Sequence, residues 1–225
     1  MVYMSETVDP ISYYDSIAET FAKQASDKNA NLFEYDGNMP SLLKLSDQIS
    51  GNVLDYGCGA GNFTDMFSRD DRFVDGCDTS PHLVDIAREH YPAINFYNAS
   101  KDGSVGLDKE YDLIVAKLVF HYVANLDATL ASLSDNLRIG GHLLFSVPHP
   151  DKTQKHFSSE IDEGTYVDEV GQFGLTLPMV HRSLGRLSTL LANNDFSIVK
   201  TDIVYDKQVP KRLNVLAVRQ LNKNV

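Results

Sequence analysis

Cysteine, basic residues and long apolar runs are all scarce in this sequence. Cys58 and Cys77 are its two cysteines, too few for a disulfide scaffold. No stretch reaches the roughly 20 uninterrupted apolar residues of a membrane-spanning helix. The longest run, Leu113 to Val123, is broken by Lys117 and His121, so no membrane partner is expected. Basic residues number 20 against 31 acidic ones, a formal net charge of -11. A chain of that sign offers no general basic field to polyphosphate, which argues against nucleic acid as a partner. Lys207, Lys211 and Arg212 do lie close together, and they read as a solvated loop ahead of the last strand. The opening Met1-Val2-Tyr3-Met4-Ser5-Glu6 has neither a basic n-region nor an apolar h-region, so the expectation is no secretory signal and a cytoplasmic location. Repeats and low-complexity linkers are lacking too, leaving no reason to divide residues 1–225 into two domains.

What is present is an ordinary apolar content, 43% of 225 residues, enough for one buried core. The first fifty or so residues read as a polar helical cap. Asp9-Pro10 starts a helix with Ile11, Tyr14, Ile17, Ala18 and Phe21 at helical spacing, and Pro40 opens a second with Leu42, Leu43, Leu45 and Ile49. From Asn52 strands and helices alternate. Val53 to Tyr56 is a strand, followed by a helix with Phe63, Met66 and Phe67 inward. Phe73 to Asp78 is the second strand, and Ser80-Pro81 caps and opens the helix after it. Ile94 to Tyr97 and Tyr111 to Lys117 are the third and fourth strands, the latter nearly all apolar as a doubly covered parallel strand should be. Asp127 caps a helix that stops at Gly140-Gly141, and His142 to Val147 is the fifth strand. Residues 149–182 are polar, hold three glycines and lack clear periodicity, which suggests a lid-like insertion. A last helix runs from Ser183 to Asn193. Phe196 to Val204 and Leu213 to Arg219 then read as strands joined too tightly for a crossover, hence antiparallel. The pattern is a doubly wound α/β sheet.

The first strand runs into Gly57-Cys58-Gly59-Ala60-Gly61. A glycine turn between strand and helix lets the backbone approach a ligand and presents free amides at the helix N-terminus. Dinucleotides and S-adenosylmethionine both use this geometry. A dinucleotide turn needs a third glycine where Asn62 stands. Asp55 would repel a pyrophosphate but suits a ligand carrying an ammonium and a sulfonium. Asp78, ending the second strand, can accept both ribose hydroxyls of either cofactor. Together these residues favour S-adenosylmethionine.

Val53-Leu54-Asp55-Tyr56-Gly57-Cys58-Gly59-Ala60-Gly61 resembles the first motif of class I S-adenosylmethionine-dependent methyltransferases, and Gly76-Cys77-Asp78-Thr79-Ser80 resembles the second. Tyr111 to Val115 and Leu137 to Leu143 resemble the fourth- and fifth-strand motifs, so the likeness covers residues 10 to 220. The resemblance implies a Rossmann-like seven-stranded sheet, mostly parallel, with an antiparallel C-terminal strand. It implies that Asp55 and the turn of Gly57, Cys58, Gly59 and Gly61 hold the methionine end of the cofactor, and Asp78 the ribose. Thr79 and Ser80 would lie near the adenosine. Asn98-Ala99 occupies the place where many members carry an acid facing the adenine amino group, and Asn98 can accept that hydrogen bond through its side-chain oxygen. Lys117 falls where the family's backbone meets the methionine moiety, and Tyr14 resembles an N-terminal aromatic over the cofactor.

Methyl transfer from a sulfonium is an in-line displacement, for which orientation contributes about 7–11 kcal/mol. A base adds about 10²–10⁴ when the acceptor must lose a proton. Three histidines fall where the sheet's carboxyl edge faces the acceptor: His121, His149 and His181. His149 is the first choice, because Pro148 and Pro150 fix its backbone at the mouth of the site. His181 is second, and with Arg182 it could instead hold an acidic substrate group or close the lid. Each is otherwise a hydrogen-bonded structural or surface histidine. No spacing among the histidines suggests a metal site. Ser146 to Pro150, with Asp162-Glu163-Gly164 and His181 to Leu184, resembles small-molecule methyltransferases acting on oxygen or nitrogen. Phe157, Tyr166, Phe173, Leu175, Leu177 and Met179 could supply an apolar cover. The rival readings are a nicotinamide-dependent oxidoreductase and a non-catalytic module that binds S-adenosylmethionine. Cys58 and Cys77 could be neighbours, either as buried small hydrophobes or as a redox pair.

Overall fold

Tyr111 and the run Leu113 to Ala116 are fully buried, because their strand is covered on both faces and sits near the middle of a sheet. The computed structural model describes residues 9–26, 38–150, 159–162, 165–172 and 175–221. Five strands run parallel: β1 (Gly51–Tyr56), β2 (Arg72–Asp78), β3 (Asn95–Asn98), β4 (Tyr111–Lys117) and β5 (Leu137–Pro148). Three further strands, β6 (Ser159–Asp162), β7 (Thr165–Gln172) and β8 (Leu175–Arg182), form a separate antiparallel sheet. The last two, β9 (Phe196–Asp206) and β10 (Val209–Arg219), return to the main sheet, whose order is β3-β2-β1-β4-β5-β10-β9. β10 is antiparallel to both its neighbours. The seven-stranded doubly wound sheet with a reversed C-terminal strand is as expected.

Alternation along each strand divides the core in two. Leu54, Ile114, Ala116 and Phe145 face Leu126, Leu130 and Leu133 of α6 (Leu126–Asn136) and Leu187, Leu190 and Leu191 of the final helix, α7 (Leu184–Asn193). Val53, Leu113, Val115 and Leu144 face Met39, Leu42 and Leu45 of α3 (Asn38–Leu45) and Phe67 of α4 (Asn62–Phe67). Each fully buried side chain of this kind contributes about 1.5–3 kcal/mol. Among the described residues no helix is long and apolar enough to cross a membrane.

Several local expectations need correcting. The first helix divides at Ile17 into α1 (Pro10–Ser16) and α2 (Ala18–Ser26). α3 begins before Pro40 and ends before Ile49. Met66 is 40% exposed, so Phe67 alone of that pair is inward. α5 (Pro81–His90) is capped by Ser80 as expected, but α6 is capped by Asn125, whose side chain accepts from the Ala128 amide, and not by Asp127. β5 starts at Leu137, which pairs with Tyr111, and a register shift precedes the regular pairing of His142 with Leu113. The strands β6 to β8 replace the irregular segment expected within 149–182. Of the expected apolar cover, Leu177 and Met179 are buried, while the side chains of Phe157, Tyr166, Phe173 and Leu175 lie outside the described residues.

β9 and β10 are joined by Lys207 and Gln208, both left-handed, at φ 46 and 69. That is the geometry of a hairpin turn that favours Asn-Gly, and each side chain there costs about 1–2 kcal/mol. Lys207→Asn with Gln208→Gly is expected to raise the unfolding free energy by about 1–2 kcal/mol in urea titrations. An unchanged or lower value would show that this turn is not strained.

Candidate active site

β1 ends in a turn whose glycines have no room for side chains. At Gly57, with φ 79, an added Cβ would lie 2.3 Å from Val119 Cγ2. The Gly57 and Cys58 amides donate to Cys77 O at 2.8 and 3.0 Å, fastening the turn to the end of β2. One carboxylate then joins two loops: Asp78 Oδ2 accepts from the Gly59 amide and Oδ1 from the Ser80 amide, each at 2.9 Å. Burial raises the Asp78 pKa, and the amides of Ser80, Gly59 and Thr79 oppose the rise. Ser80 Oγ accepts from the Leu83 amide and donates to Asp15 Oδ1 of α1 at 2.7 Å. Asp15 also accepts from the His82 amide at 3.0 Å, and these bonds hold its pKa below the ordinary carboxylate value.

Along the sheet's carboxyl edge runs a cavity of about 880 Å³. Of the residues that the sequence offers for a cofactor, Tyr14, Gly57, Cys58, Gly59, Asp78, Thr79, Ser80, Ala99 and Lys117 line it. Asp55, Gly61 and Asn98 do not. Asp55 is buried behind the turn, accepting from Thr64 Oγ1 at 2.8 Å. Burial raises its pKa to about 6, against the lowering effects of Thr64 and the nearby Lys117 charge. Gly61 stands at the N-terminus of α4 with φ 85, packed so that a Cβ would lie 2.9 Å from Tyr91 Cδ2. Asn98 is exposed, its Oδ1 3.4 Å from Arg88 Nη2; Ala99 and the turn of Lys101, Asp102 and Gly103 form the wall there instead. Lys117 is buried with Nζ 3.1 Å from the centre of the Phe63 ring, a cation–π contact. Cys58 and Cys77 are both free and buried, and burial pushes both thiols up, so they are poor nucleophiles.

At the other end of the cavity the structure brings together His121, Tyr122, His181 and Arg212. His149, the first choice as base, stands off the wall. Its amide donates to Lys211 O at 3.0 Å, continuing the β5–β10 ladder beyond the pair Pro148 and Arg212. Pro148, the last residue of β5, lines the cavity, and His149, buried just beyond it, does not. Arg182 is also off the wall. Its guanidinium donates to the carbonyls of Phe120 (3.0 Å), Val123 (2.6 Å) and Ala124 (3.0 Å), clamping the loop that carries His121 and Tyr122. The Val180 amide secures the same loop through His121 O at 2.7 Å. Tyr14 donates to Tyr122 Oη at 2.9 Å, tying α1 across the cavity.

Reading the sequence missed Phe21, Tyr122 and Arg212 as wall residues. It also missed β8, although Leu175, Leu177, Met179 and His181 alternate at the spacing of a strand face. Arg212 belongs to β10 and not to a solvated loop; Lys211, beside it, pairs with Asp206 at 3.2 Å.

Residues 14–201 match a family described as a methyltransferase domain. Malonyl-acyl-carrier-protein O-methyltransferase from Acetivibrio thermocellus is 28% identical over 153 residues, 65% of this chain and 50% of that protein. The chain spans about half the length of the curated relatives it matches. Among solved structures, an S-adenosylmethionine-dependent methyltransferase from Mesorhizobium loti has a TM-score of 0.64 at 24% identity, covering 80% of this chain and 96% of that one. A cyclase reaches 0.70 at 14% identity, covering 94% and 96%. These two likenesses are of fold, and the cyclase shows that one fold serves more than one reaction.

Asp55 should leave a pH signature. Its folded pKa of about 6 exceeds the ordinary 3.8, so the unfolded chain ionises first as pH rises. Stability is then full below about pH 4, falls through pH 6 and stays lowered above, by about 3 kcal/mol for a shift of about two units. Asp55→Asn keeps an acceptor for Thr64 and removes the ionisation. Chemical denaturation should show the variant gaining about 3 kcal/mol on the wild type between pH 4 and pH 7. A difference independent of pH would show that Asp55 titrates normally.

Proposed function

The chain belongs to this methyltransferase domain family, and on that premise we propose that it transfers a methyl group from S-adenosylmethionine to an oxygen or nitrogen of a small-molecule acceptor. The observation that carries the reading is Asp78. Its carboxylate takes the Gly59 and Ser80 amides, one on each oxygen, with the Thr79 amide also close by, and it lines the cavity with acceptor capacity left for a ribose hydroxyl. The surrounding wall fits the same ligand: an apolar flank from Leu83 and Ala99 suits a purine, and a turn free of side chains admits the amino-acid end. When bound, the cofactor supplies a methyl group activated on a sulfonium.

The protein's own part is alignment and exclusion of water. The turn from Gly57 to Gly59 and the carboxylate of Asp78 fix one partner along β1 and β2. The loop after β4, clamped by Arg182, and the edge of β8 confine the other. Tyr14 and Phe21, from α1 and α2, roof the space between them. Asp55 lies behind the turn as a buried group that gains from a nearby cation, since ionisation there is opposed mainly by burial. A cavity of about 880 Å³ is the size of a small-molecule site, which supports a metabolite acceptor over a polymer. The relative named for O-methyl transfer supports oxygen as the acceptor atom. We include a cytoplasmic location in this reading, which the two free cysteines support.

Calorimetric titration with S-adenosylmethionine, S-adenosylhomocysteine and NADH tests this. Both adenosyl ligands should bind and NADH should not. Asp78→Ala should weaken them by about 100-fold or more, the loss of two hydrogen bonds to a charged acceptor. Binding of NADH alone would overturn the reading.

A further inference from the structure

Tyr122 lies on the cavity wall where two parts of the site meet. Its hydroxyl accepts from Tyr14 Oη at 2.9 Å, and Tyr14 is close enough to Asp78 to feel its charge. The loop that carries Tyr122 also meets β8, whose Met179 and His181 are on the same wall. The hydroxyl therefore stands where the space given above to the cofactor passes into the remainder. Its place is fixed from several directions. Arg182 holds the carbonyls of Phe120, Val123 and Ala124, the Val180 amide holds that of His121, and the Tyr122 amide donates to Val119 O at 2.8 Å. The ring packs edge-on to Tyr14, with centroids 5.5 Å apart, and against His121 at 4.2 Å. A side chain held in this way has little freedom left to lose when a ligand binds.

Counting protons supplies the second observation. A tyrosine hydroxyl has one proton to donate and lone pairs to accept with. At Tyr122 a lone pair takes the Tyr14 proton, and among the described residues nothing accepts the proton of Tyr122 itself. Burial pushes the Tyr122 phenol up, against the opposing effects of the Tyr14 bond and the charge of Arg212, so it stays protonated near neutrality. A hydroxyl that accepts one hydrogen bond is polarised into a stronger donor. The wall thus presents a fixed hydroxyl whose proton is available to a molecule in the cavity. His121 beside it is no base: burial above all pushes its pKa down to about 3, and a neutral imidazole of that kind is a poor proton acceptor at neutral pH.

Resting on the methyltransferase reading, we propose that Tyr122 binds the acceptor by donating its proton to the oxygen that becomes methylated, and that this contact selects oxygen over nitrogen. An alcohol, phenol or carboxylate oxygen has at least two lone pairs, so one accepts from Tyr122 while another attacks. The nitrogen of a neutral amine has one, and a hydrogen bond from Tyr122 occupies the pair that attack requires. In the step itself an oxygen lone pair forms the bond to the methyl carbon as the carbon–sulfur bond breaks and its electron pair returns to sulfur. An oxyanion ends neutral with no proton exchanged, and a hydroxyl passes its proton to water. Arg182 is a positioning residue here, acting through the loop that presents Tyr122.

The test uses methyl-labelled S-adenosylmethionine with phenols, alcohols and carboxylic acids, alongside matched primary amines. Label should enter the oxygen compounds in preference to the amines. Two variants separate this contact from the roof. Tyr122→Phe and Tyr14→Phe each break the bond between α1 and the loop, but only the first removes the donor. At saturating S-adenosylmethionine, kcat/KM for the labelled acceptor should fall about 10-fold or more further in Tyr122→Phe than in Tyr14→Phe. The proportion of label entering amines should rise in Tyr122→Phe alone, a change that a purely structural role would not produce. Calorimetry supplies the readout apart from turnover: the labelled acceptor should bind Tyr122→Phe loaded with S-adenosylhomocysteine about 10-fold more weakly than loaded Tyr14→Phe. An amine as the preferred acceptor, equal effects of the two variants, or no oxygen compound labelled by protein that binds S-adenosylhomocysteine would overturn the inference and leave the transferase reading standing. Failure to bind either adenosyl ligand would overturn both.

Discussion

Asp78 is the point from which the rest of the site is hung. Its two oxygens take amides from loops that are distant in sequence, so the glycine turn after β1 and the N-terminus of α5 cannot move independently. Ser80 extends the arrangement, capping α5 while donating to Asp15 of α1. α1 in turn reaches Tyr122 through Tyr14. A half-buried carboxylate is costly unless its lone pairs are used, and here using them sets the shape of the cavity. The same bonds leave room on each oxygen for a further donor, which is why a structural anchor can also be a ligand contact.

Much of the fold was legible because the signals were local and agreed with one another. The apolar run of β4, the cap at Ser80-Pro81 and the glycines after β1 each point to one conformation. Elements whose signals were divided were misjudged. Asn125 and Asp127 compete to cap α6, and tertiary context chose the former. Lys207 and Gln208 make a hairpin turn with neither glycine nor asparagine, so the true length of β9 and β10 was concealed. The sheet of β6 to β8 sets Asp168 opposite Met179 and Glu169 opposite Pro178, which blurs the alternation except along β8. Pro178 is tolerable there because β8 is an edge strand of its sheet.

The site was legible where one residue type has one use. A carboxylate closing a strand beside a glycine turn is such a case, and Asp78 lies on the wall. Histidine and arginine have many uses, and sequence position alone could not sort them. His149 lies one residue past the end of β5, buried but not on the wall, whereas Pro148 before it is. Arg182 and Arg212 exchange the roles that their neighbours suggested: the one beside His181 is consumed by carbonyls, and the one in an apparent surface loop faces the cavity. Both outcomes depend on how β8 and β10 lie against the loop after β4, a matter of tertiary geometry.

The roof formed by α1 also acts in time. It is fastened at one end by Ser80 to Asp15 and at the other by Tyr14 to Tyr122. Releasing it means breaking both, and at the first end also the bond from the His82 amide to Asp15, about 4–5 kcal/mol in all, so this wall stands open for about one part in a thousand or less. A molecule passing through it therefore enters and leaves at rates scaled by that fraction. Dwell time in the cavity becomes a property of three hydrogen bonds made by a seven-residue helix, separate from whatever happens to the molecule once inside.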